Sequence, residues 1–348
     1  MTTETFLENF AHLLDAPNGI AKLRELILQL AVQGKLVPQN LSEEPASVLL
    51  ERIKLHRLKL EQEKKIRKEK PYLQVSQDEH LFDIPKNWSW IRLGEIGDWG
   101  AGATPNRSNP AFYNGDIFWF KSGELNDSYI SDSEETITQL ALEKNSLRLN
   151  QPGDVLIAMY GATIGKVAIL DKESTTNQAV CACTPFEGFC NIFLLMLLKA
   201  YRPFFTSQGA GGAQPNISRI KIVNTPIPLP PLEEQKRIVK KVDELMKLCD
   251  TLEQQQQQRE TVRVALTKSS LNALTTTQTP EDLQHHWQHT ATNFADLFKT
   301  PKSISELRQA ILQLAVMGKL VPQNPKDEPA SRLLERIRLE KTRLIQEK

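Results

Sequence analysis

Three stretches carry residue types able to do chemistry by themselves. His285-His286-Trp287-Gln288-His289 places three imidazoles within five residues, a spacing that could hold a metal ion. No cysteine or acidic pair accompanies it, so the plainer reading is a histidine-rich connector with no metal. Gly209-Ala210-Gly211-Gly212 is glycine-rich but lacks the Gly-Lys-Ser/Thr ending of a phosphate loop, and it reads as a flexible loop. The acidic residues of Ser131–Glu135 read as a solvated loop. No nucleophile elbow, HExxH pair, Rossmann glycine set or adenosylmethionine pocket stands in the chain. The sequence offers no catalytic apparatus, which leaves binding and assembly.

Composition narrows those classes. At 348 residues, 24% charged and 40% hydrophobic, the chain is long enough for two or three modest domains. Its longest apolar stretch, Ile192 to Leu198, is too short to cross a bilayer, and no signal-peptide pattern follows Met1; a cytoplasmic protein is expected. Cys181, Cys183, Cys190 and Cys249 form no CxxC pair and read as reduced thiols. The net charge is +1. Nine Lys/Arg against four Glu lie between Glu51 and Lys70, whereas Leu81 to Pro231 holds 12 basic and 14 acidic residues. A free-standing DNA clamp would be more basic, so a DNA-binding chain of this composition needs partners to neutralise phosphate.

The elements that position the chain are announced by a repeat. Leu23–Lys64 aligns without a gap onto Leu307–Lys348, with 29 of 42 positions identical and a constant offset of 284. That offset is far longer than a solenoid period. In each copy an apolar helical stripe (Leu23, Ile27, Leu30, Ala31; Leu307, Ile311, Leu314, Ala315) ends at Gly34 or Gly318, with Pro38 or Pro322 beyond it. A second helix then opens at Glu44-Pro45-Ala46-Ser47 and at Glu328-Pro329-Ala330-Ser331. It carries Leu50, Ile53 and Leu60, or Leu334, Ile337 and Leu344. After Pro230-Pro231, the residues Ile238, Val242, Leu245, Cys249 and Leu252 follow a 4-3-4-3 spacing. This seam suits either an amphipathic helix on its own core or a coiled coil with another helix.

Between Leu81 and Pro231 the pattern changes to short apolar runs bounded by turn residues. Strands are expected around Trp88–Leu93, over Asp116–Phe120, Asp154–Met159 and Gly165–Leu170, and a helix over Phe193–Tyr201. The expected organisation is a helical region over 1–64, a basic linker over 65–80 and a mixed domain over 81–231. A coiled-coil helix over 232–274, a linker over 275–302 and a second helical copy over 303–348 complete it.

At this point several motifs resemble one family. IPKNWSWIRLG (84–94), GATP (102–105), GDVL (153–156), AQPNIS (213–218) and IPLPPLEEQ (227–235) are similar, in order and spacing, to target recognition domains of type I restriction–modification specificity subunits. The proline-rich run followed by a heptad helix is the most specific of them. The terminal repeat resembles that family's conserved helical regions, and the resemblance covers nearly the whole chain. It implies an α+β fold, with one mixed α/β target recognition domain flanked by long helices that form an antiparallel coiled coil. It also implies a non-catalytic DNA sequence-specificity subunit. Such a subunit reads one half of an interrupted double-stranded DNA target and docks adenine-N6 methyltransferase (M) and restriction (R) subunits. S-adenosylmethionine, ATP and magnesium would belong to those partners and none to this chain. Family members carry the helices, recognition domain and coiled helix twice. Here the second copy of the helices is not followed by a second recognition domain, and three readings stand: a half-length form that homodimerises, a partner to another half-length chain, or a fragment of a longer reading frame. The alternative is a truncated assembly module that binds the methyltransferase without reading DNA.

Recognition loops differ among family members, so no motif transfers base contacts. The candidates are polar and basic residues of the glycine-punctuated loops: Arg107, Lys121, Ser122, Tyr160, Lys166, Asn177, Gln178, Gln208, Gln214, Asn216 and Arg219. Arg, Asn and Gln can contact base edges bidentately, whereas Lys more often meets phosphate. Each also has a bland reading. Asn177 and Gln178 could satisfy backbone groups, Gln214 and Asn216 could cap a turn, and Tyr160 could pack. For the partner interface the candidates are Leu23, Ile27 and Leu30 of the first copy, Ile238, Val242, Leu245 and Leu252 of the seam, and Leu307, Ile311 and Leu314 of the second copy.

Overall fold

The two repeat copies fold into the same helical grammar. In the computed structural model, which describes residues 16, 18–209, 215–321 and 324–347, the first copy forms α1 (Gly19–Val32) and α2 (Ala46–Gln62). Gly34 closes α1 with φ 68°, and Lys35 donates its N–H to the Leu30 carbonyl at 2.9 Å. That left-handed cap suits glycine, and a Cβ at Gly34 would also stand 2.5 Å from the Pro85 ring. Gly318 repeats the cap with φ 68° and a Lys319 N–H to Leu314 bond of 2.9 Å. Pro322 lies outside the described residues.

The chain divides into two compact units, Met1–Thr251 and Leu252–Lys348. Within the first, β1 (Ser89–Arg92) pairs with β10 (Pro226–Leu229). Three further sets of strands build the core: β2 (Gly97–Ala101), β3 (Tyr113–Phe120), β4 (Tyr129–Ile130) and β5 (Thr136–Ile137), then β6 (Val155–Ala158) and β7 (Val167–Leu170), then β8 (Ser174–Thr176) and β9 (Val180–Pro185). They form a five-stranded sheet in the order β2-β9-β6-β7-β4 and a three-stranded sheet β5-β3-β8. β6 and β7 read VLIA and VAIL because every one of their residues is buried. Phe120, Leu125 and Ile130 join Leu156, Ala168, Leu170, Val180 and Ala182 in one cluster. The helices of this domain are α3 (Gln139–Lys144), α4 (Asn191–Ala200), α5 (Arg202–Gly209) and α6 (Arg219–Val223). α4, the apolar 192–198 run, packs on β6 and β7.

A single helix, α7 (Leu232–Thr276), follows the proline-rich run; its 45 residues make it about 68 Å long at 1.5 Å per residue. Of its seam, Ile238, Val242 and Cys249 are buried and Leu245 and Leu252 half-buried. The first helical copy runs antiparallel to the start of α7. Arg24 pairs with Asp250 at 2.7 Å, Glu43 pairs with Arg237, and Gln39 donates to Glu234 at 2.6 Å.

The second unit differs from the expected linker over 275–302. Residues 280–292 are helical (α8, Pro280–Thr292), and a further turn spans Phe294–Leu297. Thr279 caps α8 by accepting from the Asp282 N–H at 3.2 Å, Pro280 occupies its first turn, and Glu281 and Asp282 face the positive end of the dipole. Start signals outweigh the polar composition. His285, His286 and His289 lie on this helix, and among the described residues no group of three His, Cys, Asp or Glu is placed to hold a metal ion. α9 (Pro301–Val316) buries Leu307, Ala310 and Leu314 against Leu271, Leu274, Leu297 and Phe298. α10 (Ala330–Gln346) buries none of its residues. The copies therefore differ in cover: Val32, Ala46, Leu49 and Ile53 are fully buried, whereas the equivalent Val316 is 90% exposed and Leu333 and Ile337 are open. Among the described residues no helix is long and apolar enough to cross a membrane.

A candidate nucleic-acid interface

Strand register brings the polar loops together. β2 ends at Ala101 opposite Cys181, β6 ends at Ala158 opposite Val180, and β3 ends at Phe120 opposite Thr176, the last residue of β8. The ends of β2 and β6 and the start of β9 in the five-stranded sheet thus meet the ends of β3 and β8 in the three-stranded one, forming one composite edge. Backbone bonds knit the loops that leave it. Gly102 donates to the Val180 carbonyl and Ala103 to Thr176 (both 3.0 Å), Asn177 donates to Phe120 (2.9 Å), Met159 to Ala179 (2.8 Å) and Ile217 to Met159 (2.9 Å). Gly102 is required here, since a Cβ would collide with the Thr176 carbonyl and hydroxyl.

The edge collects Arg107, Lys121, Ser122, Tyr160, Lys166, Asn177, Gln178 and Asn216. Tyr160 is 43% exposed and its backbone bridges Asn216. Gln178 is exposed and accepts from the Thr104 hydroxyl. Asn177 turns inward, accepting from the Ala179 N–H at 3.1 Å, so its side chain closes its own turn. Ser122 opens a short helical turn and is half-buried, as is Lys166 at the β6–β7 hairpin. Gln214 lies outside the described residues. Two candidates sit apart from the cluster. Gln208 lies in the last turn of α5, where its carbonyl accepts from Lys221 Nζ at 3.0 Å. Arg219 pairs with Glu69 at 2.6 Å and donates to the Trp99 carbonyl at 3.1 Å.

The acidic run 131–135 is not merely solvated. Glu135 holds Arg107 at 2.5 Å, and Lys121 Nζ lies 2.9 Å from Glu134 and 3.1 Å from Glu135. The Arg107 guanidinium also stacks over Tyr113 and Trp119, at 4.9 and 4.8 Å from their ring centres. Its hydrogen bonds to Glu135 raise the Arg107 pKa, and the same bonds, with those from Lys121, hold the Glu135 carboxyl below its ordinary value. Arg107 and Lys121 are therefore already paired within the chain, whereas Lys166 has no carboxylate partner among the described residues. Spacings of 14 and 28 residues carry no sequence signal for such pairs.

The motifs that carry the family resemblance are structural. Trp88 and Gln39 both donate to the buried Glu234 carboxylate, and Gln235 accepts from the Cys190 N–H at 3.1 Å while donating to the Pro230 carbonyl at 3.1 Å. Asp154 is buried and accepts from the Gln151 N–H and the Thr184 hydroxyl, both at 3.0 Å; burial raises its pKa against those bonds. Ser218 caps α6 by accepting from the Lys221 N–H at 3.2 Å. None of these side chains is free for a ligand.

Half of the residues expected at a partner interface are buried within the chain. Ile27, Ile238, Val242, Leu307 and Leu314 are buried, and Leu23, Leu30, Leu245, Leu252 and Ile311 are half-buried, within their own units. Apolar side chains left open in the second copy include Leu312, Val316, Leu320 and Val321 on and after α9 and Leu333, Ile337, Leu344 and Ile345 on α10.

Comparison with known proteins agrees with the motif reading. Residues 85–260 match the family described as the type I restriction modification DNA specificity domain. The specificity subunit of the type I restriction enzyme EcoAI of Escherichia coli is 38% identical over 347 residues, covering 94% of this chain and 57% of the relative. That of EcoEI, also of Escherichia coli, is 37% identical, covering 94% and 56%. A crystal structure of the HsdS subunit from Thermoanaerobacter tengcongensis is 22% identical, covering 68% of this chain and 51% of that one, with a TM-score of 0.42. The chain thus spans a little over half the length of the two Escherichia coli relatives.

Proposed function

The chain belongs to the type I restriction modification DNA specificity family, and we propose that it reads one half of an interrupted DNA target for methyltransferase and restriction subunits that dock on it. It contributes recognition and no catalytic step. S-adenosylmethionine, ATP and magnesium act in the partner subunits, and the assembly works in the cytoplasm, where its DNA is. The observation that supports this reading is the convergence of Tyr160, Gln178, Asn216 and Lys121 where strand ends of the two sheets meet, an edge whose backbone is fixed by strand register. A rigid edge with polar side chains on short loops suits groove readout, because scaffold strands set position and loop side chains set sequence.

The open apolar face of α9 and α10 supports a second element of the proposal. The residues covered in the first copy by the recognition domain, such as Ala46, whose N–H donates to the Asn87 carbonyl at 3.0 Å, are uncovered in the second. A second recognition domain, from another copy of this chain or another specificity chain, would cover them. Two identical halves would read an inverted repeat with a fixed gap.

The test is to co-express the chain with its methyltransferase subunit and map methylated adenines across a genome. An interrupted motif of two half-sites is expected, symmetric if two copies pair. Association with the methyltransferase but no motif would favour the assembly-module reading, and neither association nor motif would reject both.

A further inference from the structure

Residues 64–76 leave the C-terminus of α2 and cross the recognition domain as an extended strap. Lys64 takes φ 56° and Lys65 donates to the Leu60 carbonyl at 2.9 Å, which ends the helix and redirects the chain. From there every third residue turns inward: Ile66, Glu69 and Tyr72 are half-buried, while Lys64, Lys65, Arg67, Lys68 and Lys70 are exposed. Tyr72 lies against Gly94, where any Cβ would strike its ring, and it donates to Glu69 at 2.6 Å. The Arg92 guanidinium fastens the next residues through the Leu73 carbonyl at 3.0 Å and Gln74 at 3.3 Å.

Glu69 is the one carboxylate between Lys64 and Lys70, and it is consumed by Tyr72 and Arg219. Lys65 pairs with Glu63 at 2.8 Å. Lys64, Arg67, Lys68 and Lys70 have no carboxylate partner among the described residues. Their location matters as much as their charge. Arg219, which holds Glu69, also bonds the Trp99 carbonyl, and Trp99 is three residues from Gly102 on the readout edge. At about 3.3 Å per residue the Trp99 carbonyl that shares Arg219 with the strap lies roughly 10 Å from that edge, a distance of about three phosphates along one strand of a duplex.

We infer that the strap 64–70 is a phosphate-contacting element, in which Lys64, Arg67, Lys68 and Lys70 grip the backbone of the same duplex whose bases the edge reads. The inference rests on the proposed DNA-reading function. It answers the charge deficit of the edge, whose Arg107 and Lys121 are already neutralised by Glu134 and Glu135. Phosphate contact beside base contact fixes register without adding sequence preference.

The experiment compares three full-length proteins by fluorescence anisotropy on an arbitrary duplex of about 30 base pairs over a salt series. They are the wild type, a variant with Lys64→Gln, Arg67→Gln, Lys68→Gln and Lys70→Gln, and a charge-retaining control with Lys64→Arg, Arg67→Lys, Lys68→Arg and Lys70→Arg. The neutral variant is expected to bind at least about tenfold more weakly near 0.1 M salt. Its plot of log affinity against log salt should flatten by about 0.9 for each phosphate no longer neutralised, with the control matching wild type. A neutral variant with the wild-type slope would overturn the strap and leave the proposed function standing. Dissociation of the methyltransferase subunit from the neutral variant, with an unchanged slope, would overturn it in favour of a protein contact. A wild type that binds no duplex, alone or with its methyltransferase, would remove the proposed function and this inference with it.

Discussion

The indole N–H of Trp88 donates to the carboxylate of Glu234 at 2.9 Å, closing a loop of 146 residues. Glu234 is fully buried, and Gln39 donates to it from the first helical copy at 2.6 Å. One side chain therefore ties the start of the recognition domain, the repeat and the long helix together. Burial raises its pKa, and the bonds from Trp88 and Gln39 pull it back. Replacing it by alanine leaves the buried Trp88 N–H without an acceptor, at about 1–3 kcal/mol, whereas the exposed Gln39 amide can turn to water. Glu234→Ala is expected to lose about 1–3 kcal/mol in urea unfolding, and Glu234→Gln, which keeps one acceptor, less. A loss below about 0.5 kcal/mol would show that the clamp is dispensable.

Glu79 gives an acid-dependent signature. Its carboxylate meets the Arg92 guanidinium at 2.7 and 2.6 Å, and the Ser76 N–H and hydroxyl add bonds at 3.0 and 2.9 Å. Arg92 first, then Ser76, holds its pKa at about 2, against an ordinary 4.5. A folded-state pKa below the unfolded one gives stability that is complete above 4.5 and disappears as pH falls from there through about 2. Glu79→Gln should therefore lower the thermal midpoint near neutral pH and converge on wild type near pH 2. Parallel melting curves across that window would show that the pair carries no pH-linked stability.

Glu134→Gln with Glu135→Gln should release Arg107 and Lys121. If those cations face a duplex, non-specific affinity rises and the salt dependence steepens by up to about 1.8, or 0.9 for each cation. Anisotropy on an arbitrary duplex reads both quantities. An unchanged slope would place the two cations off the DNA.

Gln178 and Asn177 separate readout from support. Gln178 is exposed on the edge, whereas Asn177 closes its own turn. In the complex with the methyltransferase, Gln178→Ala is expected to relax methylation at one base position, at about 1–3 kcal/mol for a bidentate contact, with little change in melting. Asn177→Ala should instead cost about 1 kcal/mol of stability. Methylation mapping that shows the same motif for Gln178→Ala would remove it from the readout set.

Much of this architecture is legible in the sequence because it rests on local pattern. The apolar runs of β6 and β7, the helix over the 192–198 stretch and both glycine caps follow from residues adjacent in sequence. β4, β5 and β8 are not, since strands of two or three residues leave no period to detect. α8 escapes a reading by composition because its polar body hides a cap-and-proline start. The readout edge is partly legible: the loops are nameable, but their meeting depends on register between β2, β6 and β9. The pairing of Arg107 and Lys121 with Glu134 and Glu135, and the burial of Ile238, Val242 and Cys249 of the seam, are tertiary facts with no local signature.

The unequal cover of the repeat also has a meaning in terms of wetting. Val32 is dry and Val316 is hydrated, as are Leu333 and Ile337 where Leu49 and Ile53 are dry. Removing one such side chain from water is worth about 1.5–3 kcal/mol. The same spelling thus acts as cohesion near one end of the chain and as latent adhesion near the other: several kcal/mol of unrealised dewetting sit on three or four side chains of α9 and α10.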